Sequence, residues 1–168
     1  MIDADGIGLC TESFGDPGGA PILLVTGVGG SMLWWDESFC RMLADGGRFV
    51  IRYDHRDTGR SVTSEVGSPG YTGADLVADA IAVLDAYGVS TAHVVGVSAG
   101  GAFAQLLALD FPGRMLSLVL ISTSPGRRVT VIFQRLNRPV RAVRDDGEGG
   151  LVGRRIGDRV PGRLLAPS

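Results

Sequence analysis

The chain has 168 residues, 45% of them hydrophobic, with 18 acidic and 16 basic residues and a formal net charge of -2. That length and apolar content are enough for a real core, which excludes a disordered chain and makes a single globular domain the expectation. No apolar run approaches the ~20 residues that cross a bilayer, and the opening Met1-Ile2-Asp3-Ala4-Asp5 is acidic where a secretory signal is basic, so a cytoplasmic chain with no membrane partner is expected.

The elements follow in order. Gly8 to Phe14 has weak strand character and ends in the turn-rich Gly15-Asp16-Pro17-Gly18-Gly19. Pro21 to Thr26 is a continuous apolar run stopped by Gly27-Val28-Gly29-Gly30, the pattern of a strand covered on both faces. Asp36 to Ala44 carries Phe39, Met42 and Leu43 at helical spacing, with acids at its start where the helix dipole favours them. Arg48 to Tyr53 alternates as a strand and meets the polar turn "DHRDTGRS". Thr72 to Tyr87 places Leu76, Ala80, Val83, Leu84 and Tyr87 on one stripe, and Gly88 supplies the stop. A strand at Ala92 to Val97, a helix from about Ala99 to Phe111 and a strand at Met115 to Ser122 complete the series. Short apolar strands alternating with helices imply an α/β fold, a mostly parallel sheet with helices on both faces.

Two residue counts narrow the chemistry. All the basic residues are arginine, so a P-loop lysine, a Schiff-base lysine and a lysine general base are excluded from this chain. Cys10 and Cys40 lack C-x-x-C spacing and a nearby histidine pair, which points to reduced structural thiols rather than a disulfide framework or metal site. Gly27 to Met32 lacks the last glycine of G-x-G-x-x-G, so no dinucleotide cofactor is indicated.

The informative stretch is "VVGVSAGGAFAQLLAL", where G-x-S-x-G sits between a strand and a helix. With 26 glycines in the chain the bare pattern arises by chance roughly a quarter of a time, so the strand-turn-helix context carries the weight. A strand that turns sharply into a helix strains its turn residue and tolerates only small neighbours. Gly96 and Gly100 would provide the room, Ser98 would stand exposed at the carboxyl end of the sheet, and the Ala99 N–H would face any negative charge developing beside it. The glycine-rich Thr26 to Gly30 loop could lend a second N–H, most directly from Val28.

Residues 8 to 125, about 70% of the chain, resemble the first half of an α/β-hydrolase. "SMLWWDESFCRMLADGGRFVIRYDHRDTGRS" together with "GVSAGGAFAQLLAL" is similar to the branch of small-ester hydrolases containing aclacinomycin methylesterase. The resemblance implies that Ser98 is the nucleophile, that Val28 and Ala99 form the oxyanion hole, and that a small carboxylic ester is the substrate, with no metal or organic cofactor. Many relatives carry histidine where this chain has Thr26, which leaves the backbone donors usable. Trp34 and Trp35 occupy a stretch that often borders the substrate pocket, with core packing the equal alternative. Asp54, Arg56, Asp57 and Arg60 are expected to stabilise their turn.

The family supplies an acid and then a histidine after the serine, and this chain has no histidine after His93. His93 begins the strand that ends at Ser98, ~16 Å away at 3.3 Å per residue and toward the other end of the sheet. His55 lies at the correct end, but two strand positions from Ser98, ~10 Å at 4.8 Å per step. The charge also divides. Residues 1 to 126 hold 6 arginines against 14 acids, a net of -8, and residues 127 to 168 hold 10 against 4, a net of +6. The expectation is therefore an N-terminal hydrolase part over 1–125, an incomplete fold lacking its last strands, and an irregular or aberrant Arg/Gly-rich tail over 126–168. Such a chain would be truncated or frame-shifted, and weakly active or inactive alone. It would leave an edge strand at 116–122 open to self-association. The rival reading is a non-catalytic α/β binding module. A nucleic-acid partner, resting only on the tail's charge, is not expected.

Overall fold

A computed structural model of the chain describes residues 1–124 and, beyond them, the backbone of residues 141–145 and 151–155. The first elements come from a local signal. Asp5 and Gly6 both take positive φ, 52° and 84°, and this two-residue turn folds β1 (Ile2–Ala4) antiparallel onto β2 (Ile7–Leu9). Asp-Gly is the residue pair such a turn favours. The single strand expected over Gly8–Phe14 is divided at Cys10, its start falling in β2 of this hairpin and its end, Thr11–Phe14, in the main sheet, because three-residue arms carry almost no periodicity.

β3 (Thr11–Phe14), β4 (Ala20–Val25), β5 (Arg48–Tyr53), β6 (Ala92–Val97) and β7 (Met115–Ile121) form one sheet in the order β3-β5-β4-β6-β7. β3 runs antiparallel to β5, and the other pairs are parallel. Alternation along β4 divides the core. Leu23 and Val25 join Phe49, Ile51, Tyr53 and Val94 on one face, whereas Ile22 and Leu24 join Val50 and Val97 on the other. The first face is covered by α2 (Gly73–Ala86) through Val77, Ala80, Val83 and Leu84, and by α3 (Ala99–Asp110) through Ala104, Leu107 and Ala108. The second is covered by α1 (Glu37–Asp45), with Cys40 and Trp35 buried and Phe39, Leu43 and Ala44 packed against them. Burying an aliphatic side chain of this size contributes about 1.5–3 kcal/mol, so each of these stripes is a substantial part of the stability.

The other predicted elements are found within a residue or two of their expected bounds, and the polar ends explain the differences. The Asp36 carboxylate caps α1 by accepting from the Ser38 N–H at 2.8 Å, and Asp75 accepts from the Thr72 N–H at 2.7 Å at the start of α2. Met42, expected on the buried stripe of α1, is 63% exposed. The face that meets the sheet runs through Phe39, Cys40, Leu43 and Ala44 instead. Leu76 likewise yields its place in the core of α2 to Val77.

Beyond residue 124, β8 (Arg141–Asp145) and β9 (Leu151–Arg155) pair antiparallel, a hairpin that the sequence reading did not anticipate. The remaining expectation for 126–168 lies outside the described residues. Among the described residues no helix is long and apolar enough to cross a membrane.

Candidate active site

In this sheet the chain leaves β4 toward β5 on one side and reaches β6 on the other, with α1 and α2 on opposite faces. The connections diverge above the carboxyl ends of β4 and β6, and such a divergence leaves a crevice there. Ser98 and the Thr26–Gly30 loop occupy those two ends.

Ser98 has φ 53° and ψ -122°, its side chain is exposed, and it makes no capping hydrogen bond to α3. A non-glycine residue in this region costs about 1–3 kcal/mol and persists only where its surroundings enforce it. Here they do. The Ser98 N–H donates to the Ile121 carbonyl of β7 at 2.9 Å, and its own carbonyl accepts from the Gly101 N–H at 3.0 Å, so both sides of the residue are tied. The sharp turn drives β6 against α3. A Cβ on Gly96 would stand 2.5 Å from the Gly100 carbonyl oxygen, and one on Gly100 would overlap the carbonyl oxygens of Val25 and Thr26. The two glycines are thus required by close approach of backbone.

The loop after β4 lies against Ser98: a Cβ on Gly27 would come within 3.3 Å of the Ser98 Cβ. Val28 follows and is 79% exposed. Two hydrogen bonds close the loop, from Gly30 N–H to the Gly27 carbonyl at 3.1 Å and from Thr26 Oγ1 to the Gly30 carbonyl at 3.2 Å. Ala99 opens α3, so its N–H is one of the helix-start donors that no carbonyl within the helix satisfies.

Beside this crevice is a cavity of about 210 Å³ whose walls include Val28, His55, Tyr71, Leu76 and Phe103. Ser98 does not line it. Tyr71 and Phe103 escaped the sequence reading. Tyr71 sits in a loop without periodic pattern, and the only signal for Phe103 was its place one helical turn beyond the serine. The tryptophans part company. Trp35 is buried with Cys40 and stacks on Phe39 at 6.0 Å, whereas Trp34 is 59% exposed, and neither lines the cavity.

The turn after β5 is held by its charged residues. Asp54 accepts from the Met32 N–H at 2.6 Å and the Arg60 N–H at 3.0 Å, and Asp57 accepts from the Ser64 N–H. Arg56 makes a bidentate pair with buried Asp79 of α2, both bonds at 2.7 Å. The Asp79 carboxylate beside it raises the Arg56 pKa. His55 donates from Nε2 to the Thr26 carbonyl at 3.2 Å, and burial holds its pKa below the usual histidine value. His93 is at the amino end of β6, hydrogen-bonded to the Ser117 hydroxyl at 2.7 Å, with its pKa also lowered by burial. Neither histidine is hydrogen-bonded to Ser98. Cys10 and Cys40 are both buried and unpaired, and burial raises the Cys40 thiol pKa. Among the described residues no cluster of histidine, cysteine and carboxylate could hold a metal.

Comparison with known proteins bears on the family and the fold. A rhodomycin D methylesterase, DauP of Streptomyces sp. (strain C5), is 49% identical over 121 residues, which is 72% of this chain and 41% of the relative. A hydrolase of solved structure from Pseudomonas aeruginosa PA01 aligns with a TM-score of 0.67 at 32% identity, covering 80% of this chain and 49% of that one. A carboxylesterase structure from Nitrososphaera gargenis aligns with a TM-score of 0.64 at 28% identity, over 71% of this chain and 43% of that one. The chain spans about two fifths of the length of the curated relative it matches. A family model described as "alpha/beta hydrolase fold" matches residues 20–153, past the point at which the sequence reading expected the likeness to stop. The chain belongs to the alpha/beta hydrolase fold family.

Proposed function

We propose that the chain is a serine hydrolase in which Ser98 attacks a small carboxylic ester. The observation that carries this reading is the strained backbone of Ser98, which presents an exposed hydroxyl at the junction of β6 and α3 with the Gly27 peptide against it. In the proposed reaction Ser98 Oγ bonds to the ester carbonyl carbon and passes its proton to a base. The N–H groups of Val28 and Ala99 hold the resulting oxyanion. The ester C–O bond then breaks, the alcohol leaves with that proton, and water hydrolyses the acyl-enzyme to the free acid. The reaction calls for no metal or organic cofactor. The name of the methylesterase relative favours a methyl or similarly small alkyl ester. Tyr71, Leu76 and Phe103 offer apolar surface for the rest of the molecule, and we propose that exposed Trp34, which is not a wall of the cavity, meets substrate only outside it.

The base is the weak point of the chain as it stands. Its two histidines are His55 and His93, one committed to the Thr26 carbonyl and the other at the far end of the sheet. Losing a triad member costs on the order of 10⁴ to 10⁶ in turnover, so weak activity is the expectation. The same placement favours a second reading, a binding module that keeps the pocket without the chemistry. A fluorophosphonate probe separates the two. Slow labelling mapped to Ser98 and absent from Ser98→Ala supports the hydrolase, and an unlabelled Ser98 after prolonged incubation supports the module. Two buried, unpaired thiols accord with the cytoplasmic location expected from the sequence.

The proposal extends to self-association. β7 ends the five-stranded sheet with Leu116 and Ile121 both more than a third exposed; β8 packs beside it, and the apolar surface left exposed there is a template for a second copy. Sedimentation velocity should show dimers or larger species, and a monodisperse monomer would count against it.

A further inference from the structure

We propose that His55 is a positioning residue for the loop that carries the Val28 N–H, a role that rests on the serine-hydrolase reading above. The loop has two peptide planes to orient before that N–H points anywhere. The Gly27 carbonyl is held by the Gly30 N–H at 3.1 Å, and the Thr26 carbonyl is held by His55 Nε2–H at 3.2 Å. No peptide bond here is cis, so each N–H points opposite the carbonyl of its own plane. Because the Thr26 carbonyl faces buried His55, the Gly27 N–H points away from it, and the bond from Gly30 fixes the next plane, which carries the Val28 N–H. Val28 N–H has no acceptor among the described residues, as a donor kept for a ligand should have none.

His55 is suited to this task in three ways. It is only 4% exposed, and its ring is held edge-on between Tyr53 at 4.9 Å and Phe103 at 5.7 Å, so the N–H cannot swing away from its carbonyl. A carbonyl can only accept, which puts the proton on Nε2 and leaves Nδ1 with a lone pair. Among the described residues that Nδ1 has no partner. A buried polar atom without a partner is destabilising, and a phenyl ring would fill the same apolar slot without that cost. What histidine adds to the slot is the Nε2 donor. The Thr26 carbonyl it holds is also one that a side chain on Gly100 would strike, so the same peptide is pressed between His55 and the first turn of α3.

The test compares His55→Phe and His55→Leu, which fill the slot without a donor, with His55→Gln, whose Nε2 amide can reach the same carbonyl. Two measurements are made on the full chain: amide hydrogen exchange in the Thr26–Gly30 segment and the rate of fluorophosphonate labelling at Ser98. Complete removal of one oxyanion donor costs 10² to 10³, so loosening one should slow labelling and speed exchange by about tenfold in the Phe and Leu variants. His55→Gln should stay within about threefold of the parent in both, since it keeps the donor. Wild-type exchange in Phe and Leu would overturn the proposal. So would a Gln variant labelling as slowly as Phe with its loop exchange unaltered, because that pattern marks His55 as the base. If the parent itself never labels, the hydrolase reading falls, and the exchange measurement still decides whether His55 holds the loop.

Discussion

Two turns at the carboxyl end of the sheet reach rigidity by opposite means. The β6–α3 turn at Ser98 is rigid because side chains are missing: backbone meets backbone at Gly96, Gly100 and Thr26, and no side chain bonds to the serine. The turn after β5 is rigid because side chains are present, with Asp54 collecting two N–H groups and Arg56 locked to Asp79. Steric rigidity leaves a hydroxyl free for chemistry, whereas polar rigidity consumes the groups that make it. That difference explains why the charged "DHRDTGRS" segment, richer in reactive side chains than the elbow, is the scaffold and the small-residue segment is the candidate site.

The comparison predicts opposite sensitivities. Adding one methyl group should break the first turn. Gly100→Ala drives a Cβ into two backbone carbonyl oxygens that cannot yield separately, so a loss of more than ~3 kcal/mol is expected, read as a fall in urea midpoint together with loss of Ser98 labelling. Removing atoms should break the second. Arg56→Ala strands the Asp79 carboxylate, which is 2% exposed, and a buried charge without its partner costs about 3 kcal/mol. Because Arg56 does not touch Ser98, labelling per folded molecule should fall much less than in Gly100→Ala. Equal labelling losses in the two variants would erase the distinction.

The smallest effect is in pH. His55 and His93 both have pKa values lowered from 6.5, chiefly by burial, with Asp79 and Asp54 partly opposing the shift at His55. A histidine that resists protonation in the folded state binds its proton more readily when unfolded. Its contribution is therefore present above pH 6.5 and is lost as pH falls below it. The melting temperature should decline on acidification from pH 7 toward pH 5. His55→Phe should flatten part of that decline, and an unchanged slope would show that His55 is not among the groups responsible.

Most of the five-stranded sheet was legible because a parallel sheet buried on both faces writes itself as short apolar runs, and Pro21 to Thr26 and Ala92 to Val97 are such runs. Ser98 was legible for a related reason: a sharp strand-to-helix turn needs glycines on either side, and those glycines are visible in the chain. The β1–β2 hairpin went unread although Asp5-Gly6 marks it, since its arms are too short to show alternation. Tyr71 and Phe103 carry no motif, and they became cavity walls only when α2 and α3 packed side by side on the same face. By itself the sequence determined the alternation of elements and the place of the strained serine, because both follow from rules that act between near neighbours. Only the tertiary structure decided that Trp35 is core, that Gly27 lies on Ser98 and that His55 reaches the Thr26 carbonyl. The last two contacts join residues far apart in the chain, and they come into being when β4, β5 and β6 are laid side by side.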